Sequence, residues 1–522
     1  MKARSIATDG AANRLRFLAL TNGGPLWDAV QVFKPLQRRL NAALIDHAVR
    51  EMPARPEPLS TMAPYTTWPS LTDRSYNGRH LPPSDLDPAR LPSADTCAEL
   101  FRRGEQMLPC PRSTVLFAYF AQWFTDGFLR GDTGNPRDPR RNTSNHQIDM
   151  NQLYGLDEST AAILRAHESG LLKSQSIGGG EFPPFLCDEQ GRKKKEFADL
   201  AVVRFDDFPP EARRRLFALG GDRSNLQIGF TMLTVLFLRE HNRLARLLAR
   251  EYPSWDDERL FQTARNIVTL IVCRIVLEEY INHITPYHFR FTMDSSLSTR
   301  LAQAPWHREN WASIEFSLVY RWHSLIPPTL KVGPEELALT DTLLNGPLLA
   351  QHGLAQAMED ASLQTAGRIG LFNTDPSLLY VDLDSVNDSR ALRLAPYNAY
   401  RKHLKFPPVR SFDQISDDPR VRERLRAAYT SVDDIDLYVG IFAEQPGSPA
   451  TLLGPLLTKI IAIDAFSQAL TNPLLAPRVL NADTFTPLGL RTVERTRTLS
   501  DIVHRNSPED PKPRFISMSQ RP

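Results

Sequence analysis

The sequence predicts a mainly α-helical protein. Long stretches carry apolar residues at three- and four-residue spacing, the alternation typical of strands is scarce, and the 41 prolines lie mostly between the helical stretches. Of the 522 residues, 42% are hydrophobic and 23% are charged, and the net charge is +2. This is the composition of a globular protein, and its balanced charge gives no reason to expect a nucleic-acid partner.

The start of the chain and its cysteines bear on the cellular compartment. Residues 1–24 are expected to be a loose lead-in, and they lack the apolar core and cleavage site of a signal peptide. The cysteines form no closely spaced metal motif, so we expect free thiols and a cytoplasmic location. They are Cys97, Cys110, Cys187 and Cys273.

Residues 26–34 and 35–51 predict two amphipathic helices, the second with Pro35 in its first turn. Basic side chains flank the apolar stripes. The pair is interpreted in two ways, as helices lying in a membrane surface or as helices packed on the body of the protein. No apolar run reaches the roughly 18 residues of a transmembrane helix. The stripes contain Leu26, Val30, Phe33, Leu36, Leu40, Leu44 and Ala48, and the basic residues are Lys34, Arg38 and Arg39.

Residues 114–130 predict a helix that is almost entirely buried. Gln122 and Asp126 are conspicuous in it, because residues four apart face the same way on a helix. Buried polar side chains usually have a partner or a function. Two more long helices are predicted over residues 230–255 and 256–284, the second with acidic residues in its first turn.

Residues 315–327 predict a helix that ends at two prolines. Its apolar face consists of Phe316, Val319, Tyr320 and His323. An imidazole on such a face is either an axial haem ligand or a hydrogen-bonded core residue. Tyr320 lies one turn before it, where a phenol beside an oxidised haem would be converted to a tyrosyl radical.

This segment resembles a known family. Tyr320-Arg-Trp-His323, between Glu315-Phe316 and Leu325-Ile326-Pro327, resembles the proximal-haem segment of animal cyclooxygenases (prostaglandin synthases) and of fungal linoleate dioxygenases. Arg239-Glu-His-Asn-Arg243 resembles a second family signature. His241 within it is a rival iron ligand by residue type alone, and the resemblance implies a structural role for it. The resemblance extends from about residue 25 to about residue 505.

The resemblance implies a mainly α, cyclooxygenase-like haem peroxidase fold with haem between a distal and a proximal helix. It divides the chain into an N-terminal lead-in (1–24), amphipathic helices at a channel mouth (25–52), a haem-binding catalytic domain (53–505) and a C-terminal tail (506–522). Membrane contact is expected through residues 25–52.

The resemblance also implies the roles of the site residues. His323 binds the iron of haem b, Gln122 and Trp322 join it at the cofactor, and Tyr320 carries the radical. Asp126 occupies the position of the family's distal histidine. Two interpretations of this departure stay open: peroxidase activity is lost or weakened, or a buried carboxyl with a raised pKa performs the acid–base work.

A fatty-acid channel is implied as well. Arg50 takes the place of the arginine that pairs with the substrate carboxylate, and Tyr287 joins it at the channel mouth. Tyr280 is expected to hydrogen-bond Tyr320. Without the resemblance these are a helix-end arginine and ordinary core residues. The proposed lining is Tyr280, Ile281, Ile284, Tyr287 and Phe316.

We therefore expect a haem-dependent dioxygenase that adds molecular oxygen to unsaturated fatty acids through a tyrosyl radical. Two alternatives remain. One is a haem peroxidase or peroxygenase that uses hydrogen peroxide, with Asp126 in the catalytic set beside Gln122. The other is a haem-binding protein that has lost peroxidase activity.

Overall fold

The computed structural model describes residues 11–50, 75–132, 134, 137–294, 296–307, 311–448 and 451–521. These residues are predominantly helical, which confirms the predicted fold class. The α-helices are α1 (Ala11–Thr21), α2 (Gly24–Val32), α3 (Lys34–Arg50), α4 (Ala94–Glu99), α5 (Val115–Asp126), α6 (Asn151–Tyr154), α7 (Glu158–Leu164), α8 (Pro210–Arg213), α9 (Ile228–Glu251), α10 (Asp257–Ile275), α11 (Asn282–Ile284), α12 (Leu297–Leu301), α13 (Ile314–Val319), α14 (Pro347–His352), α15 (Leu354–Leu363), α16 (Leu379–Ala391), α17 (Tyr397–His403), α18 (Pro419–Ala428), α19 (Leu437–Ala443), α20 (Pro455–Leu470), α21 (Ala482–Arg495) and α22 (Leu499–Arg505).

The described strands are short and form three antiparallel pairs. Two pairs are local hairpins. The third joins segments far apart in the chain and lies beside the N-terminus of α5, with Thr114 opposite Thr365. The pairs are β1 (Pro109–Thr114) with β6 (Thr365–Gly367), β2 (Gln175–Ile177) with β3 (Gly180–Phe182), and β4 (Thr329–Val332) with β5 (Glu335–Ala338).

Helices α5, α9 and α10 form the centre of the core. The side chain of Gln227 caps the N-terminus of α9, and that of Asp256 caps α10. Trp123 of α5 stacks on Phe237 of α9 with 4.7 Å between ring centroids, and its indole nitrogen donates to Thr234 at 3.1 Å. Burying an apolar side chain of this size contributes about 1.5–3 kcal/mol, which fixes α5 on α9.

The polypeptide after α10 continues through a π-helical segment, Val276–Ile281, into α11. A π turn changes the direction in which the following side chains point, and such turns are frequent at functional sites. Tyr280 lies in this segment. Within the described residues, Asp257–Ile284 is long and apolar enough to cross a membrane, but 83% of its apolar window is buried inside the protein, as in a core helix.

An ionic network ties α9 to α22. The fully buried carboxylate of Glu240 accepts hydrogen bonds from Arg243 at 2.8 Å, from Arg505 at 2.6 Å and from Asn506 at 2.7 Å. Burial by itself would raise the pKa of this carboxyl, but the two guanidinium groups hold the pKa below its ordinary value. This part of the family signature therefore has a structural role here.

Helices α2 and α3 contact the body of the protein and also expose apolar side chains to solvent. On one face of α3, Gln37 and Asn41 donate to Thr292 at 2.7 and 2.8 Å. Pro35 lies in the first turn of α3, as predicted. Large apolar side chains of the same helices are exposed, namely Leu26 and Val32 of α2, Phe33 between the helices and Leu36 of α3.

The two ends of the chain differ from the sequence expectation. Ala11–Thr21 is helical where a loose lead-in is predicted. The C-terminal tail is attached to the body, because Thr114 N donates to Met518 O at 3.0 Å and Gln520 N donates to Arg112 O at 2.8 Å. The four cysteines are free and buried, which confirms the predicted thiols.

Candidate active site

The helix that leads into the site is shorter than predicted. Ser313 caps α13, and the helix ends at Val319. Tyr320 already leaves the helical conformation, with φ −91° and ψ 18°, and Trp322 follows with φ −98° and ψ 51°. His323 begins a separate 3₁₀ turn, His323–Leu325.

The prediction of one continuous helix over residues 315–327 is therefore wrong. The indole nitrogen of Trp322 donates to Val319 O at 2.7 Å, and so it satisfies a carbonyl that the end of a helix leaves open. Periodicity alone does not reveal this competing hydrogen bond. Tyr320 and His323 lie on adjoining turns rather than on one helical face.

His323 has the hydrogen bonding of a metal-binding imidazole. Its Nδ1 donates to Asp382 Oδ1 at 3.0 Å, because a carboxylate can only accept. Tyr438 donates to the same oxygen at 2.6 Å. A ring protonated at Nδ1 carries its free lone pair on Nε2, which is the form that ligates a metal. The ring is 20% exposed, whereas Asp382 is 1% exposed.

His241 has neither nitrogen available. Its Nε2 donates to Gly170 O at 2.9 Å, and its Nδ1 accepts from the Tyr154 hydroxyl at 2.9 Å. Burial lowers the pKa of this imidazole to about 4, so the ring is neutral. A histidine with both nitrogens in internal hydrogen bonds is a structural residue. No cluster of three or more His, Cys, Asp and Glu suited to a metal ion occurs among the described residues.

Tyr320 lies in an aromatic enclosure. Its ring stacks on Trp322 at 4.8 Å and meets Phe316 edge-on at 5.0 Å. The hydroxyls of Tyr320 and Tyr280 are both buried, and neither forms a hydrogen bond with the described residues. Burial raises the pKa of both phenols. The Tyr280 hydroxyl, as a donor towards Tyr320, partly offsets this for Tyr320, and the neighbouring Tyr320 raises the pKa of Tyr280 further. The two hydroxyls are thus close enough to interact in the direction of the predicted hydrogen bond, although they do not reach well-formed hydrogen-bond geometry.

Helix α5 presents Gln122 and Asp126 on one open side. Ten of its 12 residues are buried, and these two are the exceptions. The prediction of a buried polar pair is wrong for Gln122, which is exposed. The carboxylate of Asp126 is 15% exposed and accepts from Arg223 Nη1 at 3.4 Å.

Aromatic contacts join α5 to the segment that contains Tyr320, Trp322 and His323. Phe117, on the first turn of α5, stacks on Trp322 at 5.8 Å and on Tyr280 at 5.4 Å. The structure therefore brings together the rings of Tyr320, Trp322, Phe316 and Tyr280, with α5 as their support. None of these contacts involves Gln122 or Asp126 directly.

The remaining predicted channel residues have different surroundings. Ile281 and Ile284 are each 5% exposed, and Phe316 is fully buried. Tyr287 is half-buried and meets Phe291 edge-on at 6.4 Å, and burial raises the pKa of its phenol. Arg50 is the last residue of α3, and its side chain lies outside the described residues, so its pairing with a carboxylate stays a prediction.

Three contact residues are not apparent from the sequence pattern. Asp382 lies 59 residues after His323, which it contacts. Tyr438 lies 117 residues after Arg321, whose carbonyl it contacts. Arg223 lies 97 residues after its partner Asp126. An aspartate on an otherwise ordinary helix gives no periodic signal. The one available hint is chemical, because an iron-binding histidine usually donates its other nitrogen to a carboxylate or carbonyl.

Comparison with known proteins places the chain in a family. Residues 80–516 match the animal haem peroxidase family. The chain is 30% identical over 486 residues to prostaglandin G/H synthase 2 of Equus caballus, covering 89% of this chain and 76% of that protein. It is also 30% identical over 477 residues to prostaglandin G/H synthase 1 of Mus musculus, with the same coverage of both.

Solved structures show the same fold. The fatty acid alpha-dioxygenase of Oryza sativa superposes with a TM-score of 0.69 at 18% identity, covering 96% of this chain and 97% of that chain. Peroxidase A of Dictyostelium discoideum superposes with a TM-score of 0.66 at 20% identity, covering 86% and 96%. The sequence match over most of the chain, together with this shared fold, shows that the protein belongs to the animal haem peroxidase family of oxidoreductases.

Proposed function

We propose that this protein is a haem-dependent dioxygenase that oxygenates unsaturated fatty acids through a radical on Tyr320. The observation that supports this most directly is the buried Tyr320 hydroxyl, which lies beside the Tyr280 hydroxyl and makes no well-formed hydrogen bond with the described residues. Leaving a buried hydroxyl unsatisfied costs about 1–3 kcal/mol, so such a group invites a functional explanation. It lies three residues before the proposed iron ligand.

The residues present fit a haem. His323 would hold the iron through Nε2, because Asp382 occupies Nδ1. Gln122 and Trp322 complete the proposed cofactor contacts. Haem b, when bound, supplies the one-electron oxidising power that a phenol side chain lacks by itself. The residues of this chain then determine where that oxidation is used.

Tyr320 performs the hydrogen transfer in this proposal. Oxidation removes one electron and the phenolic proton and leaves a phenoxyl radical. The radical takes a hydrogen atom from a carbon that lies between two double bonds, so Tyr320 regains its O–H and the acyl chain becomes a carbon radical. Dioxygen adds to that carbon, and the peroxyl radical takes the hydrogen atom back from Tyr320. The products are a fatty-acid hydroperoxide and a renewed phenoxyl radical.

The apolar surroundings support this chemistry. The side chains of Ile281, Ile284 and Phe316 are buried. They lie within four residues of Tyr280 or Tyr320 in the sequence, and they have no polar group that would react with a radical. A water-excluding, apolar lining holds one carbon of a flexible chain against the phenol and protects the carbon radical. Arg50 and Tyr287 are proposed to receive the carboxylate end.

The related proteins differ in the reaction that their names describe, prostaglandin G/H synthase or fatty acid alpha-dioxygenase. A structure of a variant of the Oryza sativa alpha-dioxygenase contains palmitic acid, which is saturated. An unsaturated substrate with a weak C–H bond and a saturated one attacked beside the carboxylate give different products. Our proposal favours the unsaturated acid, as the relation to prostaglandin G/H synthases suggests.

The test uses haem-loaded protein with linoleic and palmitic acids in parallel. We expect oxygen uptake and a chain hydroperoxide from linoleic acid, identified by mass spectrometry, and loss of both in Tyr320→Phe with haem retained. If palmitic acid gives product and linoleic acid does not, the substrates are saturated fatty acids and the proposed substrate class is wrong. Undiminished oxygen uptake in Tyr320→Phe would contradict the radical mechanism.

A second candidate is a peroxidase or peroxygenase that uses hydrogen peroxide. It is favoured by the Asp126–Arg223 pair on the open side of α5, where a carboxylate can exchange a proton. Turnover of guaiacol with hydrogen peroxide, in the absence of oxygen uptake with any fatty acid, would select this function. If the haem-loaded protein shows neither fatty-acid oxygenation nor guaiacol turnover, the protein binds haem without performing oxidoreductase chemistry.

We also propose a cytoplasmic location with peripheral membrane contact through residues 25–52. Ten large apolar side chains are strongly exposed in the described part of the chain, and six of them lie between residues 15 and 36. Lys34, Arg38 and Arg39 are exposed beside them, which suits an anionic lipid surface. Phe33→Glu should abolish co-sedimentation with phosphatidylserine-containing vesicles, and Leu363→Glu, at an exposed site elsewhere, should not. The six residues are Leu15, Leu18, Leu26, Val32, Phe33 and Leu36.

A further inference from the structure

We propose that Asp382 is a positioning residue that fixes the His323 ring and increases its electron donation to iron, with Tyr438 limiting the strength of this effect. The inference rests on the proposed function, since it takes His323 to be the iron ligand. It concerns a residue that the sequence pattern does not single out. Its basis is the pair of hydrogen bonds that converge on one carboxylate oxygen.

The geometry of the three groups is specific. Asp382 Oδ1 accepts from His323 Nδ1 at 3.0 Å and from the Tyr438 hydroxyl at 2.6 Å. Its other oxygen, Oδ2, is buried and has no hydrogen-bond partner among the described residues. The negative charge of the carboxylate is therefore shared between one imidazole and one phenol.

No Lys or Arg nitrogen of the described residues lies within 4.0 Å of this carboxylate; the ion pair that it forms is with His323. A carboxylate neutralised by an arginine would have little charge left for the imidazole. At 1% exposure, Asp382 is also shielded from water, so its field on the ring is not screened.

The proton on Tyr438 stays on the phenol. Burial raises the pKa of Tyr438 well above its ordinary value, and the adjacent Asp382 raises it further. Tyr438 thus acts as a donor to Asp382. Its ring is held by Phe101, stacked at 5.1 Å, and by Phe442, edge-on at 5.0 Å.

Side chains from two helices therefore restrain the Nδ1 side of the His323 ring, Asp382 directly and Tyr438 through Asp382. Asp382 belongs to α16 and Tyr438 to α19, and the aromatic contacts fix the phenol before any cofactor is present. A ring restrained at Nδ1 keeps one tautomer and one orientation, which lowers the cost of binding a metal at Nε2.

The electronic consequence follows from the acceptor. A carboxylate draws the Nδ1 proton more strongly than a neutral acceptor, so the ring gains imidazolate character and becomes a more basic ligand. A more basic histidine ligand would stabilise oxidised iron and lower the Fe(III)/Fe(II) potential of a bound haem. The hydrogen bond from Tyr438 withdraws charge from the same oxygen and so weakens this effect.

The two contacts therefore have opposite expected effects. Asp382→Asn keeps the shape but removes the charge, so the Fe–His stretching frequency of the ferrous protein should fall and the potential should rise. Tyr438→Phe removes the competing donor, so the frequency should rise and the potential should fall. A merely structural role would not give shifts of opposite sign.

The experiment uses haem-loaded full-length protein and resonance Raman spectroscopy, potentiometric titration and haem titration. Asp382→Ala should weaken haem binding about 10- to 100-fold. Asp384→Asn is the matched control, because Asp384 is exposed on the same helix, and it should match the parent in all three measurements.

The outcomes separate this inference from the proposed function. If His323→Ala retains a normal haem spectrum, the proposed iron ligand is wrong. If His323→Ala loses haem while Asp382→Asn and Tyr438→Phe keep the parental frequency and potential, the role of Asp382 is wrong and the proposed function stands. If Asp382→Asn fails to fold, the sign of the Tyr438→Phe shifts still decides the question.

Discussion

Replacing Tyr320 with phenylalanine should abolish fatty-acid oxygenation without destabilising the protein. Phenylalanine keeps the stack on Trp322 and the edge contact with Phe316. The hydroxyl that it removes is buried and makes no hydrogen bond with the described residues. An unsatisfied buried polar group costs about 1–3 kcal/mol, so its removal should leave the free energy of unfolding unchanged or raise it within that range.

Tyr400 supplies a matched control. It is also buried, but its hydroxyl donates to Glu315 Oε1 at 2.7 Å. Tyr400→Phe removes a hydrogen bond to a charged group and leaves a buried carboxylate with one donor fewer. Such bonds are worth about 1.5–3 kcal/mol, so this variant should be destabilised by that amount.

The assay compares both variants with the parent in two measurements. Urea unfolding without fatty acid gives stability through the midpoint at constant slope. Oxygen uptake with linoleic acid on haem-loaded protein gives activity. We expect Tyr320→Phe to be stable and inactive, and Tyr400→Phe to be less stable and, where folded, active. A Tyr320→Phe variant that is destabilised by more than about 1 kcal/mol would refute the assignment of its hydroxyl as an unsatisfied functional group.

The site and its surroundings give four further expected outcomes. His323→Ala should abolish the haem absorption band while His241→Ala retains it, and the reverse result would exchange the two assignments. Arg50→Leu should weaken binding of free fatty acids about 10- to 100-fold but leave methyl esters unaffected, since a charge-assisted contact is worth roughly 1.5–3 kcal/mol; an equal loss for both would make Arg50 structural. Asp126→His should raise guaiacol turnover with hydrogen peroxide, because acid–base groups contribute about 10²- to 10⁴-fold, and a folded, haem-loaded variant no faster than the parent would contradict this. Burial raises the pKa of Glu279 from 4.5 to about 8, so the contribution of this group to stability should be greatest below pH 4.5 and decline by at most about 1.4 kcal/mol per pH unit up to about pH 8; the difference in urea unfolding between the parent and Glu279→Gln should show this decline, and a difference that does not change with pH would contradict it.

The helices were predictable where the sequence carries a repeating apolar pattern and a capping residue. The predicted helix over residues 256–284 begins at Asp257 as α10, because Asp256 accepts from Arg259 N at 2.8 Å and the acidic first turn suits the helix dipole. The π-helical segment Val276–Ile281 within it was not predictable. An apolar pattern does not distinguish a π turn from the α turns on either side, since both bury the same kind of residue.

The side chains of the site were less predictable than the helices, because their arrangement depends on contacts between distant segments. His323 is recognisable by its family context, but its tautomer is set by Asp382, which lies 59 residues later in the chain. Gln122 was expected to be buried because its helix is apolar, yet it occupies the side of α5 that the core does not cover. Amphipathic patterns describe how a helix packs on its neighbours and do not show which side of an almost wholly apolar helix the core leaves uncovered.

The strongest evidence for function lies where the sequence rules fail. The helix expected through Tyr320 stops at Val319, and the Tyr320 and Tyr280 hydroxyls meet without well-formed hydrogen-bond geometry. The indole of Trp322 stabilises the early end of the helix, whereas the two buried hydroxyls lack the stabilisation of a well-formed hydrogen bond. Other buried tyrosines of this protein, such as Tyr400 and Tyr438, donate to carboxylates. Two neighbouring buried phenols that lack a well-formed hydrogen bond are by comparison costly to keep. That cost is understandable if the Tyr320 hydroxyl must remain free to exchange a hydrogen atom with a bound acyl chain.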